Sequence, residues 1–403
     1  MMEPHAEQIF NLDEDKKLTL DSETLRRILI CDELKDKNVC VVSIAGAFRQ
    51  GKSFLLNFLI RYLNIRYKEK RDVTKWLDSA DGPLLGFSWA TGSLRHTVGI
   101  LMWSEVFLAQ LPTGGEMAII LLDTQGSFDN STTITECATI FALSTLISSI
   151  QIYNLKENIK QCDLSHLEFF TKYGQMILDN SEYSGPPFQN LLFLVRDWQW
   201  PHEREFGIKG GKQLLNHVLN TDDNDLNSEI MEQRKNIKNV FEKINCCLLP
   251  HPGTQVATDP KFQGELQDVD HKFLENIEML IPHVLAPEQL IPKTVSGENI
   301  KIVDLVSIIE SYWECFQNGE MPPLATLLEV TTLQHHMISK REAEKIYENS
   351  MKFLKDENDE FLNNEELITL HNQNKQRAIE FYSKKKKMGD PSISKRYEEE
   401  LEM

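Results

Sequence analysis

The residues with the clearest chemical content are Gly46-Ala47-Phe48-Arg49-Gln50-Gly51-Lys52-Ser53. They fit the spacing G-x-x-x-x-G-K-S. They follow the apolar run "VCVVSIA" and open a stretch of helical character, "FLLNFLIRYL". That context is the one a phosphate-binding loop requires. Glycines let backbone N–H groups turn inward around phosphate oxygens, and the helix N-terminus adds partial positive charge. In such a loop Lys52 reaches the β- and γ-phosphates and Ser53 ligates Mg²⁺. Gly46, Gln50, Gly51 and Phe54 are counted with them among the nucleotide-lining residues. A chance glycine-rich turn would leave Lys52 without a purpose. Arg49 is the unusual member, a cation inside a cradle otherwise built from glycine and amides.

Asp123-Thr124-Gln125-Gly126 ends a second apolar run, "MAIILLD". An acidic residue there holds Mg²⁺ through water, as a Walker-B aspartate does, and the Gly126 amide senses the γ-phosphate. A turn after a strand is the plain alternative. Thr97 lies between the two motifs, just before a strand, where a switch threonine would grip Mg²⁺ and the attacking water with its hydroxyl and carbonyl. Many GTPases place a water-orienting glutamine directly after the switch glycine. Ser127 stands there instead, so hydrolysis is slow or another group supplies the help. The guanine signature [NT]-K-x-D is absent from the sequence. Thr74-Lys75-Trp76-Leu77-Asp78 has one residue too many and precedes the switch segment. The apolar strand "LLFLV" ends instead in Arg196-Asp197. Asp197 is suited to accept both donors of guanine's N1/N2 edge, which adenine does not offer; a surface salt bridge is the equal alternative.

These residues need a sheet to carry them. Strands are expected at Val39–Gly46, Gly99–Leu108, Met117–Asp123, Ser149–Leu155, Leu191–Asp197 and Cys246–Pro252. Several are apolar on both faces, as buried parallel strands are. Helical segments between them suit βαβ crossovers. The composition, 41% hydrophobic and 26% charged over 403 residues, is that of an ordinary globular protein. A net charge of −18 argues against a nucleic-acid binder that works by broad phosphate neutralisation. Seven scattered cysteines without a C-x-x-C pair read as reduced cytosolic thiols rather than a zinc site. The polar, acidic start of the chain is not a secretory signal. The uncharged run Cys137–Leu155 carries too many polar residues to cross a membrane and is expected to be a buried helix followed by a strand.

The pattern changes near "NGEMPPLATLL", after which strand-like runs stop. Val330, Leu333 and Met337, then Ala343, Tyr347, Met351 and Leu354, recur at helical spacing. Asn363 with Glu366 resembles a capping box opening a second helix, and a third begins near Ser392. The four-lysine run Lys384–Lys387 is read as a solvated helix end, with a membrane-facing patch as the alternative. The expected fold is therefore α/β, a P-loop GTPase domain with a mostly parallel central sheet, followed by an all-α three-helix bundle.

The runs "VSIAGAFRQGKSFLLNFLIRYL", "GILMWSEVF", "AIILLDTQGSFD", "CATIFALSTLISSIQIYNL", "PFQNLLFLVRDW" and "LLPHPGTQVAT" together resemble the atlastins. These are dynamin-superfamily GTPases that fuse endoplasmic-reticulum membranes. The resemblance runs from about Leu18 to the C-terminus. It implies that Arg49 is an internal arginine finger, and that Lys52 and Ser53 serve phosphate and Mg²⁺. It implies that Thr97 is the switch I threonine, that Asp123 and Gly126 are the switch II pair, and that Arg196 with Asp197 form the guanine site. His251 lies where the family caps the base with a loop. The resemblance further implies a dynamin-like GTPase domain over 1–318, a hinge over 319–326 and a three-helix-bundle middle domain over 327–403. The chain is expected to end before the family's membrane-spanning hairpin and amphipathic tail. It departs from the family at Gln50, Ala90 and Val98, where lysine, arginine and threonine are usual; the first and third leave the core roles intact, and the change at Ala90 puts in doubt one polar contact that the family uses near its dimer interface.

On this reading the chain hydrolyses GTP with Mg²⁺ and pairs with itself across two membranes through a nucleotide-dependent homodimer. It faces the cytosol at the endoplasmic reticulum, anchored by a segment outside this sequence, and does not bind nucleic acid. Partner contact presses Arg49 inward, and the bundle swings on the hinge. Two rivals remain: a GTP-dependent scaffold of guanylate-binding-protein type, and a plain P-loop ATPase.

Overall fold

The computed structural model describes residues 3–13, 17–47, 50–78, 80, 82–89, 99–126, 134–220, 227–317, 321–352 and 363–403. Arg49 and Thr97 lie outside the described residues, as do Ala90 and Val98. In chain order the first half comprises β1 (Ala6–Leu12), β2 (Leu18–Leu20), α1 (Ser22–Leu29), β3 (Asn38–Gly46), α2 (Lys52–Leu63), β4 (Ile100–Trp103), β5 (Phe107–Gln110), β6 (Glu116–Thr124), α3 (Ile134–Ile147) and β7 (Ile150–Lys156). Next come α4 (Gln161–Ser165), α5 (Glu168–Asp179), β8 (Phe188–Arg196), α6 (Gly207–Val218), α7 (Ser228–Val240), β9 (Phe241–Leu248), α8 (Thr254–Thr258) and α9 (His271–Leu285). The short strands β10 (Thr294–Val295) and β11 (Glu298–Asn299) precede α10 (Ile302–Phe316), and α11 (Leu324–Met351), α12 (Asn364–Lys384) and α13 (Pro391–Glu402) complete the chain.

One mixed sheet runs in the order β2-β1-β4-β6-β3-β7-β8-β9. The strands from β6 through β9 pair in parallel; those on the other side pair antiparallel. Every residue of β3 after Asn38 is buried. Alternate side chains serve two cores: Val39, Val41 and Ala45 join the cluster packed by α1, α3, α5 and α10, while Cys40, Val42 and Ile44 join the one packed by α2 and α9. Helices on both faces are what make the strand apolar throughout. From β3 the chain passes to β6 on one side and then to β7 on the other. The carboxyl ends therefore part at β3, and such switch points form the ligand crevice of open α/β sheets.

Three strand expectations shift. The single strand expected over Gly99–Leu108 is divided into β4 and β5, both antiparallel to β6. With Met102 opposite Leu122, an in-step Phe107 would face Met117; it faces Ile119, so the stretch between the strands bulges. The strand expected from Cys246 begins at Phe241, because its first half is a partly exposed edge segment with polar residues. The polar N-terminal stretch is in fact β1, and a register shift between Gln8 and Phe10 lets the adjacent Ile9 and Phe10 both be buried. That bulge erases the alternation by which a strand is normally read.

The helical tail packs through α11, which Pro323 precedes and which begins at Leu324. Leu327 and Ile338 join the same core as α3 and α5. Buried hydroxyls order this seam: Tyr173 donates to the Leu327 carbonyl at 3.1 Å, and Tyr312 pairs with Thr331 at 2.9 Å. The α12–α13 turn forms a second attachment. Met388 is 1% exposed within the core of the sheet domain and bridges Ser181, while the Glu182 and Gly389 amides donate to the Lys387 and Asn180 carbonyls, each at 2.8 Å. The lysine run is split: Lys384, at the end of α12, and Lys386 are exposed, as expected of a solvated helix end, while Lys385 and Lys387 turn into the molecule's own seam. Lys385 sits between Glu298 and Glu342 and is 14% exposed. Asn363 and Glu366 do form a capping box for α12. Among the described residues no helix is long and apolar enough to cross a membrane, and the Cys137–Leu155 run divides between α3 and β7.

Candidate functional site

β3 ends at Gly46 with φ +150°, where a Cβ would stand 2.1 Å from the Asn154 carbonyl oxygen of β7. Only glycine lets the chain leave the sheet this close to its neighbour. The loop re-enters helix at Gly51, whose φ of +66° is left-handed. Lys52 follows at the start of α2 and is 7% exposed, with Nζ 3.3 Å from the carbonyls of Gly46 and Ala47. Its ammonium thus spans the mouth of the loop. Ser53 donates its hydroxyl to Asp123 Oδ2 at 2.5 Å. Parallel pairing brings them together, since Ile44 of β3 faces Asp123 of β6. Asp123 is fully buried. A hydroxyl and a carboxylate at one point are hard oxygen donors, the set Mg²⁺ prefers, and that ion takes few protein ligands because it keeps several waters. The residues present therefore fit the ion.

Phe54 points away from the loop. Its ring is 4% exposed and contacts Phe58, Trp89, Phe262 and Phe273. Only its main chain, in the first turn of α2, is left for a phosphate. Gln125 is equally committed: its side chain accepts from the Gly99 amide and its own amide donates to the Gly99 carbonyl, both at 2.8 Å. This pair fixes the start of β4 to the end of β6, with Gly126 next in the chain.

The base-end residues separate in space. Arg196 closes β8 and is 6% exposed. Its Nη1 donates to the Gln50 carbonyl at 2.6 Å, and its guanidinium lies 5.7 Å over the Phe273 ring. Burial pushes this guanidinium below its usual range, with Asp197 pulling the other way. Asp197 adopts a left-handed φ of +59°, and its buried Oδ1 has no hydrogen-bond partner among the described residues. An acceptor buried without a donor is costly. His251, in the loop after β9, is exposed, and its Nδ1 accepts from the Gly253 amide at 3.1 Å. That loop is tied to the β8 loop, since the Trp198 amide donates to the Leu249 carbonyl at 3.0 Å.

Two supporting residues carry no motif. Asn154 donates to the same Gln50 carbonyl at 2.8 Å, and Phe273 floors the Arg196 side chain. Asn154 left little trace in the sequence, since its strand carries a second amide, Gln151. Phe273 left none, because aromatic residues at helical spacing usually mean core.

The chain matches the model of the guanylate-binding protein N-terminal domain over residues 15–294. It is 42% identical over 397 residues to Atlastin of Drosophila melanogaster, covering 98% of this chain and 73% of that protein. It is 40% identical over 390 residues to human Atlastin-2, covering 97% and 66%, and 42% identical over 384 residues to human Atlastin-3, covering 95% and 70%. The chain thus spans about two thirds to three quarters of the length of these relatives. With the phosphate loop, the Ser53–Asp123 contact and the Asp197 carboxylate on one sheet edge, the chain belongs to the atlastin family of dynamin-superfamily GTPases.

Proposed function

We propose that this chain hydrolyses GTP with Mg²⁺, and that its nucleotide-dependent homodimer tethers and fuses endoplasmic-reticulum membranes from the cytosolic side. The observation that carries the hydrolytic part is the 2.5 Å Ser53–Asp123 contact beneath Lys52. Ser53 and Asp123, with Thr97 expected to join them, would hold Mg²⁺, which would supply charge neutralisation to the phosphates. Lys52 and the amides at the start of α2 bind the phosphate chain. Asp197 accepts from guanine, and His251 lies on the neighbouring loop. Arg49 completes the charge set. An arginine finger is worth about 10³–10⁵ in rate, or roughly 4–7 kcal/mol, which makes good the missing glutamine at Ser127.

The test is Arg49→Ala. Turnover should fall by about 10³-fold or more while GDP affinity stays within a few-fold; intact turnover overturns the role. Per-molecule turnover should also fall on dilution, since Arg49 acts in a dimer. The match to a guanylate-binding domain favours a second reading, a scaffold that assembles without fusing membranes. A scaffold stays assembled on a non-hydrolysable analogue, whereas a fusion protein carrying its membrane segment mixes lipids only with hydrolysable GTP.

A further inference from the structure

Arg196 raises a question that base recognition does not answer. A guanidinium this deeply buried is normally paired with a carboxylate, yet among the described residues Arg196 makes no ion pair. It donates to one backbone oxygen of the phosphate loop instead, the Gln50 carbonyl. Asn154 donates to the same oxygen from the next strand. Two strands thus hold one carbonyl.

The geometry of the peptide gives that contact a consequence. In a planar trans peptide, C=O and N–H point in opposite directions. With the Gln50 oxygen drawn back towards β7 and β8, the N–H of Gly51 faces the other way. That N–H precedes Lys52 and belongs to the set that wraps phosphate oxygens. The second glycine of the motif is favoured by its left-handed φ of +66°, and it leaves room for the guanidinium, since a Cβ on Gly51 would stand 2.6 Å from Arg196 Nη1 and push it aside. Phe273 supports the guanidinium from below and packs against Phe54 of α2. The group is therefore clamped between the loop it orients and the helix that the loop opens.

Asp197 is the next residue, with a left-handed φ of +59°, and among the described residues its carboxylate forms no ion pair with Arg196. One peptide unit joins the base acceptor to the loop clamp. We propose that Arg196 is a positioning residue that sets the Gly51 peptide and transmits occupancy of the base site at Asp197 to the phosphate cradle. Guanine is then read partly in the rate of turnover and not only in affinity. This rests on the proposed GTP hydrolysis at this site.

The experiment compares GTP with inosine triphosphate, which lacks the 2-amino donor, in the full chain and in Arg196→Ala and Arg196→Lys. For the unmodified chain, kcat should be about threefold or more lower with inosine triphosphate than with GTP. Arg196→Ala should lower kcat for GTP about tenfold while KM changes by less than about threefold, and the kcat difference between the two nucleotides should vanish. Arg196→Lys, which retains a single donor and a charge, should recover most of the loss. If Arg196→Ala does not fold, the Arg196→Lys kinetics and the nucleotide ratio of the unmodified chain decide. A variant that alters KM alone, or an unmodified chain whose kcat ignores the 2-amino group, overturns the inference. Failure of the underlying reading shows separately, as an unmodified chain that does not turn over GTP or an Asp197→Asn variant with undiminished guanine preference.

Discussion

Around β3 the side chains divide cleanly. Apolar residues fill two cores, and the polar groups Lys52, Asp123, Arg196 and Asp197 gather at the carboxyl edge. The inner face of α11 is built differently. Thr331, Thr332, Gln334, His335, His336 and Ser339 are all buried there, and beyond them the buried members of the tail's separate core among the described residues are Ala343, Ala378, Tyr382 and Tyr397. The sheet end is held by area removed from water, which is non-directional and hard to release in part. The tail is held to the sheet domain by discrete hydrogen bonds and a few inserted side chains. Contacts of that kind define one docked orientation and are broken as a set. The difference is one of means: apolar area holds the layers around β3, and directional polar contacts line the inner face of α11.

Substitutions at the sheet edge should change ligand binding with little change in stability. Substitutions in the seam should do the reverse. Lys52→Ala is the largest case: GDP affinity should fall by about 10²–10³-fold, since charge-assisted hydrogen bonds to phosphate are lost, and the thermal midpoint should hold. Calorimetric titration beside a melting curve checks both. Asp197→Asn should cost about 10²-fold in GTP affinity and narrow the preference for GTP over ATP, read by competition against a fluorescent guanine nucleotide. In the seam, Met388→Ala should destabilise by about 2–4 kcal/mol through the cavity it leaves, with GDP affinity unchanged. A melting midpoint that stays put would mean that the turn is not part of the cooperative unit.

The smallest effect separates the two regions by pH. His336 donates from Nε2 to the Met388 carbonyl at 2.9 Å, and in the neutral ring its Nδ1 accepts from Tyr382 Oη at 2.7 Å. Burial lowers its pKa to about 4, helped by His335, Lys387 and Arg396 and opposed by the Met388 carbonyl. His335 is likewise lowered, mainly by burial. A histidine depressed on folding stays neutral in the native state while the unfolded chain takes up its proton. Stability is therefore complete above the ordinary value near 6.5 and is lost as pH falls from there towards 4. Melting at pH 7.5 and pH 5 should show the drop, and His336→Gln should shrink it. An equal drop in the variant would move the acid sensitivity elsewhere.

The phosphate loop, Asp123 and the apolar strands could be read from the sequence, because each depends on neighbours in the chain. Glycine conformations, a helix start and a two-faced apolar run are local constraints. The capping box of α12 belongs with them. What local pattern concealed was pairing between distant segments. The β1 strand was hidden by its bulge, and Lys385 of the lysine run took its place from Glu298 and Glu342, which arrive from other elements. Arg196 and Asp197 make the point most sharply. As adjacent letters they read as one guanine site. Parallel pairing of β7 and β8 beside β3 sent the guanidinium to Gln50, and a left-handed turn left the carboxylate with a free oxygen. Chain neighbours share a position but not a direction, and only the packed sheet assigns directions.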